Sequence, residues 1–237
     1  NRWTDNKIEK GGSGLKFVTP VTGKSMTKML VFDPSDDRVI QTSPVDMTGQ
    51  YNFITAQALM ARVTQFNNFT YSQKCLQAAI RCFEWCTKSD KDKEPNIIGA
   101  AMQASIELYR TTNHDVYKNF AVERAARLKK LQAKIQEGNP GGFFYTSFSD
   151  HEPYKNIWQG CLAFISLCDL AQTFPLHNEL SSWKIMIADY VNHYLLLISK
   201  RNSFGIIPYG LYAKQDPGGN RKVGKYWYRY FMQPELD

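Results

Sequence analysis

A chain of 237 residues with 43% hydrophobic and 22% charged residues is long enough for one large domain or two small ones, and its composition is ordinary globular with no low-complexity tract. The formal charge of +7 invites a nucleic-acid partner, yet Lys and Arg are scattered, with no run beyond Arg127-Leu128-Lys129-Lys130 on an apparent helix face. The basic stripe that marks nucleic-acid binding is missing. No stretch approaches the roughly 18 apolar residues of a membrane span. The chain opens on the polar Asn1-Arg2-Trp3-Thr4-Asp5 without Met, which is neither a signal peptide nor a natural start, so compartment is not readable from it.

The first fifty residues read as irregular, with Gly and Pro punctuation and short β-prone runs such as Met29-Leu30-Val31-Phe32. Periodicity then predicts six helices. The first spans about 48–66, with Phe53, Ala56, Met60 and Val63 on one face. The second, about 71–88, carries Cys75, Ala79, Cys82, Phe83 and Cys86. The third, about 95–112, has Pro95 in its first turn, where a missing N–H costs nothing, and a small inner face of Gly99, Ala100, Ala101, Ala104 and Ser105. Small residues let neighbouring helices approach closely. The fourth runs from about 115 to 136 and stops at Gly138-Asn139-Pro140-Gly141-Gly142. The fifth starts near Pro153 and shows Ile157, Cys161, Phe164, Ile165 and Cys168. The sixth, about 178–200, shows Leu180, Trp183, Ile187, Tyr190, Tyr194 and Ile198. The last thirty-five residues read as irregular again.

The five cysteines sit at helical spacing. Cys161 and Cys168 lie about 10.5 Å apart along a helix, too far for a disulfide, which needs Cα atoms within about 7 Å. A thiolate metal site is the sharp reading; with no His at zinc-like spacing, buried thiols packed as small hydrophobes are favoured.

Connections alternate in length. Asn67-Asn68, Asn113-His114 and Phe174-Pro175-Leu176-His177 are short links that make antiparallel helical hairpins. The longer segments before the first, third and fifth helices fall at one end of such an array, and loops on a rigid scaffold are where function concentrates. The architecture expected is all-α: three stacked helical hairpins over 48–200, with an irregular segment 1–47 and a loop 201–237 on one decorated rim.

Several stretches resemble glycoside hydrolase family nine and its bacterial six-hairpin relatives: "NRWTDN" at 1–6, "DDRVI" at 36–40, "FITAQALMARVTQF" followed by "YSQKCLQAAIRCFEW", "EPYKNIWQGCLAFISLCDLA" and "NSFGIIPYGLY" at 202–212. The resemblance covers nearly the whole chain. It implies an (α/α)6 toroid of twelve helices, in which inner-helix N-termini and their loops line a carbohydrate cleft, and an inverting mechanism run by two carboxylates. It also implies a secreted, periplasmic or cell-surface enzyme acting on β-linked glucan or a related polysaccharide. No cofactor is implied, a structural cation such as calcium aside. The family's Asp-Ala-Gly-Asp base motif is absent and its C-terminal Glu has no counterpart here. Six helices are half a ring, so this is expected to be the middle of a catalytic domain, completed by the rest of the polypeptide or by another chain, with the catalytic pair outside these residues. A carbohydrate-binding or assembly subunit without the carboxylate pair is the alternative. A polysaccharide lyase, leaning on His151 and Tyr154, is a third.

Candidate site residues follow from that cleft. Asp150 and Glu152 flank His151 just ahead of the fifth predicted helix. They read either as acids that bond sugar hydroxyls or as acids that complement a helix dipole. Tyr154, Trp158, Tyr51 and Tyr209, with Trp3, are candidate platforms, because a flat aromatic face matches the C–H face of a pyranose; packing within the rim is the alternative for each. Asp36-Asp37-Arg38 is favoured as a salt-bridged turn over a cation site, Asn68-Phe69-Thr70 as a chance glycosylation match, and "DPGGN" at 216–220 as a turn.

Overall fold

A computed structural model of the chain describes residues 46–88, 94–154, 161–215 and 221–230, with the backbone of two short strands near the start. The chain divides into two compact units, Asn1–Gly49 and Gln50–Asp237. In the first, strand β1 (Arg2–Thr4) pairs antiparallel with β2 (Val39–Gln41), Trp3 opposite Ile40. Asp46 accepts a hydrogen bond from the Gly49 N–H at 2.9 Å, capping the start of a helix. The run at 29–32 and Asp36-Asp37-Arg38 lie outside the described residues.

The second unit is helical. Helices α1 (Met47–Thr64) and α2 (Phe69–Thr87) form the first hairpin. Asn68 caps α2 by accepting from the Tyr71 N–H at 3.0 Å. The Ser72 hydroxyl donates to the Ala61 carbonyl at 2.7 Å, and Cys82 donates to Gln50 Oε1 at 3.4 Å, so the two helices run antiparallel. Helices α3 (Pro95–Thr112) and α4 (Asp115–Leu131) form the second, turned by Asn113 in the left-handed region (φ 56°). The third pairs α5 (Leu162–Thr173) with α6 (Leu180–Tyr190), which continues through one π-helical turn, Val191–Leu195, into α7 (Leu196–Ser199).

Helices α1, α3 and α5 make one layer, and α2, α4 and α6 with its continuation α7 make a second. Gly99 at the start of α3 meets Ala163 at the start of α5: a Cβ added to Gly99 would lie 2.7 Å from the Ala163 backbone. Further along, Arg110 of α3 reaches Asp169 and Thr173 of α5, so the two run parallel. Thr111 of α3 donates to the Ala58 carbonyl of α1 at 3.1 Å. In the other layer, Phe83 of α2 packs edge-on against Tyr117 and Phe120 of α4, and Lys129 of α4 donates to Ser182 of α6 at 2.8 Å. Helix α3 lies at the centre: twelve of its eighteen residues are buried, including the whole Gly99, Ala100, Ala101, Ala104, Ser105 face. The core joins Ile98, Met102 and Ile106 to Leu128, Leu167, Leu170, Trp183 and Tyr190.

A charged network fastens the layer of α1, α3 and α5. Glu107, 5% exposed, accepts from Arg62 of α1 at 2.7 Å and from Arg110 at 2.6 Å, and Arg110 in turn bridges to Asp169 of α5 at 2.5 Å. Gln103 donates to the same Asp169 carboxylate at 2.8 Å. Burial alone would lower the Arg110 pKa, but the hydrogen bonds and charges of Asp169 and Glu107 raise it. The guanidinium stays charged.

Four expectations need correcting. On α1 the buried residues are Tyr51, Ile54, Ala58 and Ala61, whereas Phe53, Met60 and Val63 are exposed. On α5 they are Ala163, Ser166, Leu167 and Leu170, with Ile165 and Cys161 exposed and Cys168 half-buried. Both helices are apolar on more than one side, so periodicity alone could not choose the face. Helix α4 ends at Leu131 rather than 136, because Gln132 turns extended (φ −73°, ψ 129°) and pairs with Phe144. The region after 200 is not irregular: β3 (Gly210–Tyr212), β4 (Arg221–Val223) and β5 (Tyr226–Arg229) form an antiparallel sheet in the order β3-β5-β4.

Candidate functional site

The segment between α4 and α5 lies at the N-terminal end of α3 and α5, and it is built as a ribbon. Gln132 leaves α4 with its side-chain amide donating to the Gly142 and Met186 carbonyls, both at 2.8 Å. Ala133 and Phe143 pair through a 2.7 Å hydrogen bond, and Tyr145 donates back to the Leu131 carbonyl at 2.9 Å. The turn between them passes Gly142, held at φ 76°; a Cβ there would sit 2.3 Å from the Asp189 carbonyl of α6. Only glycine meets both demands.

Residues 144–154 then fold back as a small hairpin. Tyr154 donates to the Phe144 carbonyl at 2.8 Å, Thr146 donates to the Glu152 carbonyl at 2.9 Å, and Tyr145 faces Pro153. At the tip the Asp150 N–H donates to Ser147 Oγ at 3.0 Å, while the Glu152 N–H donates to Asp150 Oδ1 at 3.1 Å. Asp150 and His151 are exposed, and Glu152 and Tyr154 are half-buried. The hairpin carries four of the seven candidate residues together. Residues 150–154 are not helical, and the described helix α5 starts at Leu162.

The other three candidates fare differently. Trp158 lies outside the described residues. Tyr51 is fully buried in α1 and offers no face to a sugar. Tyr209 is half-buried where the chain enters β3, its N–H donating to the Arg229 carbonyl at 2.8 Å and its ring covered by the Arg229 guanidinium at 5.5 Å. One face of that ring is thus already stacked.

The C-terminal sheet docks on the same ribbon. The Lys225 N–H donates to Asn139 Oδ1 at 2.9 Å, and the Phe143 ring meets Tyr226 edge-on at 5.2 Å and Tyr145 at 5.3 Å. Between ribbon and sheet opens a pocket of about 640 Å³ lined by Lys130, Gln132, Lys134, Gln136, Tyr145, His151, Ala213, Lys225 and Tyr226. Burial raises the Tyr145 pKa, helped by a hydrogen bond with Tyr226 and opposed by the Lys225 charge. His151 packs edge-on against Tyr145 at 4.9 Å. The lysines and tyrosines of this pocket were not singled out in the sequence, although Lys130 ends the one basic run and Tyr226-Trp227-Tyr228 is a run of β-prone aromatics.

Parallel inner helices backed by an antiparallel outer layer, with ribbon and sheet on one end, define a helical-hairpin protein whose site lies on that end. The chain belongs to glycosyl hydrolase family 9: the family's model matches residues 32–230. No curated protein matches the sequence. Among solved structures the chain is similar to a glycosyl hydrolase family 88 protein from Bacteroides vulgatus, with 11% identity and a TM-score of 0.45 over 78% of this chain. The match covers 50% of that protein, so the chain spans about half its length.

Proposed function

We propose that this chain supplies one wall of the glycan cleft of a glycoside hydrolase. Family membership over 32–230 carries the reading. The substrate proposed is a β-linked glucan or related polysaccharide, met outside the cytoplasm in a secreted, periplasmic or cell-surface setting. The bond would be cut by inversion, with an acid protonating the leaving oxygen and a base activating water across a gap of roughly 6.5–9.5 Å. The pair is proposed to lie outside residues 1–237, on the rest of the polypeptide or on another chain that completes the ring. The apolar surface for such neighbours is present: Phe53, Met60 and Val63 on α1 and Ile165 on α5 are all exposed.

Within the described residues, Asp150, His151, Glu152 and Tyr154 are the proposed sugar contacts, with Trp158 beside them in sequence. Exposed carboxylates at a hairpin tip suit hydrogen bonds to hydroxyls, and charge-assisted bonds of this kind are the stronger ones. A second reading keeps the same glycan contacts, with Asp150 holding the tip by accepting the Glu152 N–H, in a binding or assembly subunit without catalysis. Incubating the intact protein with soluble β-glucan and following the anomeric signals of the products by NMR decides between them. Hydrolysis giving the inverted anomer supports the first reading; glucan binding without hydrolysis leaves the second.

A further inference from the structure

The pocket between the ribbon and the C-terminal sheet has an unusual lining. Lys130 and Lys134 approach from the end of α4 and the strand-like stretch after it, and Lys225 from the tight turn between β4 and β5. Three ammonium groups and the exposed His151 therefore share about 640 Å³ with no carboxylate in the lining. Among the described residues the ion pairs lie elsewhere, on Arg62, Arg110, Lys118, Arg124 and Arg127. A concave site lined with one sign of charge focuses its field and draws counter-charge in. The remaining lining suits a sugar ring. Half-buried Tyr145 gives aromatic surface and is held edge-on by Phe143, while buried Tyr226 backs the wall with the Lys225 ammonium 5.2 Å over its ring, and Gln136 offers an exposed amide that can both donate and accept. Gln132 is committed to backbone carbonyls and serves to fix the floor.

We infer that this pocket binds a carboxylate-bearing sugar of an acidic glycan, with Lys130, Lys134 and Lys225 meeting the carboxylate and Tyr145 meeting the ring. The inference rests on the proposed function only in taking the ligand to be a glycan. Ammonium groups on flexible stems act as point charges toward an oxyanion, so the recognition is of charge more than of a fixed geometry. Binding accordingly weakens as salt screens the lysines over a Debye length of about 8–10 Å.

Titration calorimetry on the intact protein tests this with three probes: tri-galacturonate, its methyl-esterified neutral counterpart, and inorganic sulfate. Tri-galacturonate is expected to bind, the neutral ester to bind at least about tenfold more weakly, and sulfate to compete only weakly. Lys134→Gln and Lys225→Gln should each lose about five- to tenfold in affinity, the order of a charged hydrogen bond partly screened by solvent, with a shallower salt dependence. Both positions are exposed, so the variants should melt with the parent. Equal affinity for acid and ester would overturn the inference, as would unchanged affinity in both variants. Sulfate binding as tightly as the trimer would make this a simple anion site and overturn it too. Hydrolysis of neutral glucan without tri-galacturonate binding leaves the enzyme reading standing and removes this one. Tri-galacturonate binding without hydrolysis of any glycan does the reverse.

Discussion

The two ends of the helical unit are held together by different physics. At the C-terminal end of α3, charge does the fastening: Arg62, Glu107, Arg110 and Asp169 link α1, α3 and α5, with Glu107 nearly buried and bonded on both oxygens. At the N-terminal end the fastening is aromatic and backbone-made. Phe143, Tyr145, Tyr190, Tyr194 and Tyr226 form a chain of ring contacts, and the ribbon supplies the hydrogen bonds. Among the described residues Lys130, Lys134 and Lys225 have no carboxylate partner, which keeps them available, with Lys225 resting over the Tyr226 ring. A surface whose lysines were already neutralised could not greet an anion, and a surface without the aromatic base could not hold its lysines in one place. One end is closed on itself and the other is open to a ligand.

The sharpest way to break the contrast is to cut the closed end. Glu107→Ala should destabilise the fold by about 2–3 kcal/mol, because it removes the buried acceptor of the partly exposed Arg62 guanidinium and one of the two carboxylates that hold Arg110, which keeps Asp169. A denaturation curve measures this. Glycan affinity of the protein that remains folded should not change, since the network sits away from the ribbon. Gly99→Val attacks the packing that positions the open end. The added atoms run into the Ala163 backbone, which cannot swing aside as a flexible side chain would, and overpacking of this kind costs about 1–3 kcal/mol. A similar loss in Gly99→Ala would show that even one methyl is too many. No loss in either would mean that α3 and α5 can slide apart freely.

How much of this was readable beforehand depended on how one-sided each element is. Helices α2 and α6 face solvent on one side, and most of their buried residues, Cys75, Ala79, Phe83, Cys86, Trp183 and Tyr190, with Tyr194 and Ile198 beyond α6, were on the predicted faces, while buried Ser72 and Met186 were not. Helices α1 and α5 carry apolar residues on more than one side; on α1 the predicted face was the exposed one, and on α5 it was mixed, with Cys161 and Ile165 exposed but Phe164 packed against the core. The short links Asn67-Asn68 and Asn113-His114 announced hairpins because cap and turn chemistry is local. The ribbon after α4 did not, because Lys134, Gln136 and Glu137 are good helix formers and only pairing with 142–145 overrides them. The candidate site divided along the same line. Asp150, His151, Glu152 and Tyr154 are neighbours in sequence and stayed neighbours, whereas Lys130, Lys134 and Lys225 come together only through the docking of β4 and β5 on the ribbon.

The aromatic end should also reveal itself in alkali, where the charged end should not. Burial pushes the Tyr190 and Tyr194 hydroxyls well up, and Tyr228 is raised to about 12 by burial and by its hydrogen bond to Tyr230. A phenol whose folded pKa exceeds its unfolded value of about 10 keeps its proton longer in the native state, so the native state binds more protons over that interval and stability falls as pH rises. The contribution is complete below about pH 10 and is lost on rising through about pH 12. Thermal melts between pH 9 and 12 should show the midpoint falling as the tyrosinate absorbance appears. Tyr228→Phe should soften that decline at its upper end. A midpoint independent of pH over this range would mean that the rings are better hydrated than their packing indicates.

The smallest effect on stability, and the most informative about the open end, is expected at the tip of the hairpin. Asp150 is exposed, and its carboxylate accepts a single hydrogen bond from the Glu152 N–H, a group that water can serve almost as well. Asp150→Ala should therefore shift stability by no more than about 0.5 kcal/mol, the usual range for a surface substitution. If the tip contacts a glycan, the same change removes acceptor oxygens that bond hydroxyls, and affinity for a soluble oligosaccharide should fall by about 1–2 kcal/mol. Asp150→Asn separates the two roles of the carboxylate. It keeps an acceptor for the Glu152 N–H and so preserves the turn, but it removes the charge that strengthens a bond to a hydroxyl. An affinity in Asp150→Asn midway between the parent and Asp150→Ala, with all three melting together, fits a sugar contact. An affinity that tracks the melting temperature instead would mean that Asp150 only shapes the turn, and the sugar contacts would then fall to His151, Glu152 and Tyr154 on the same hairpin.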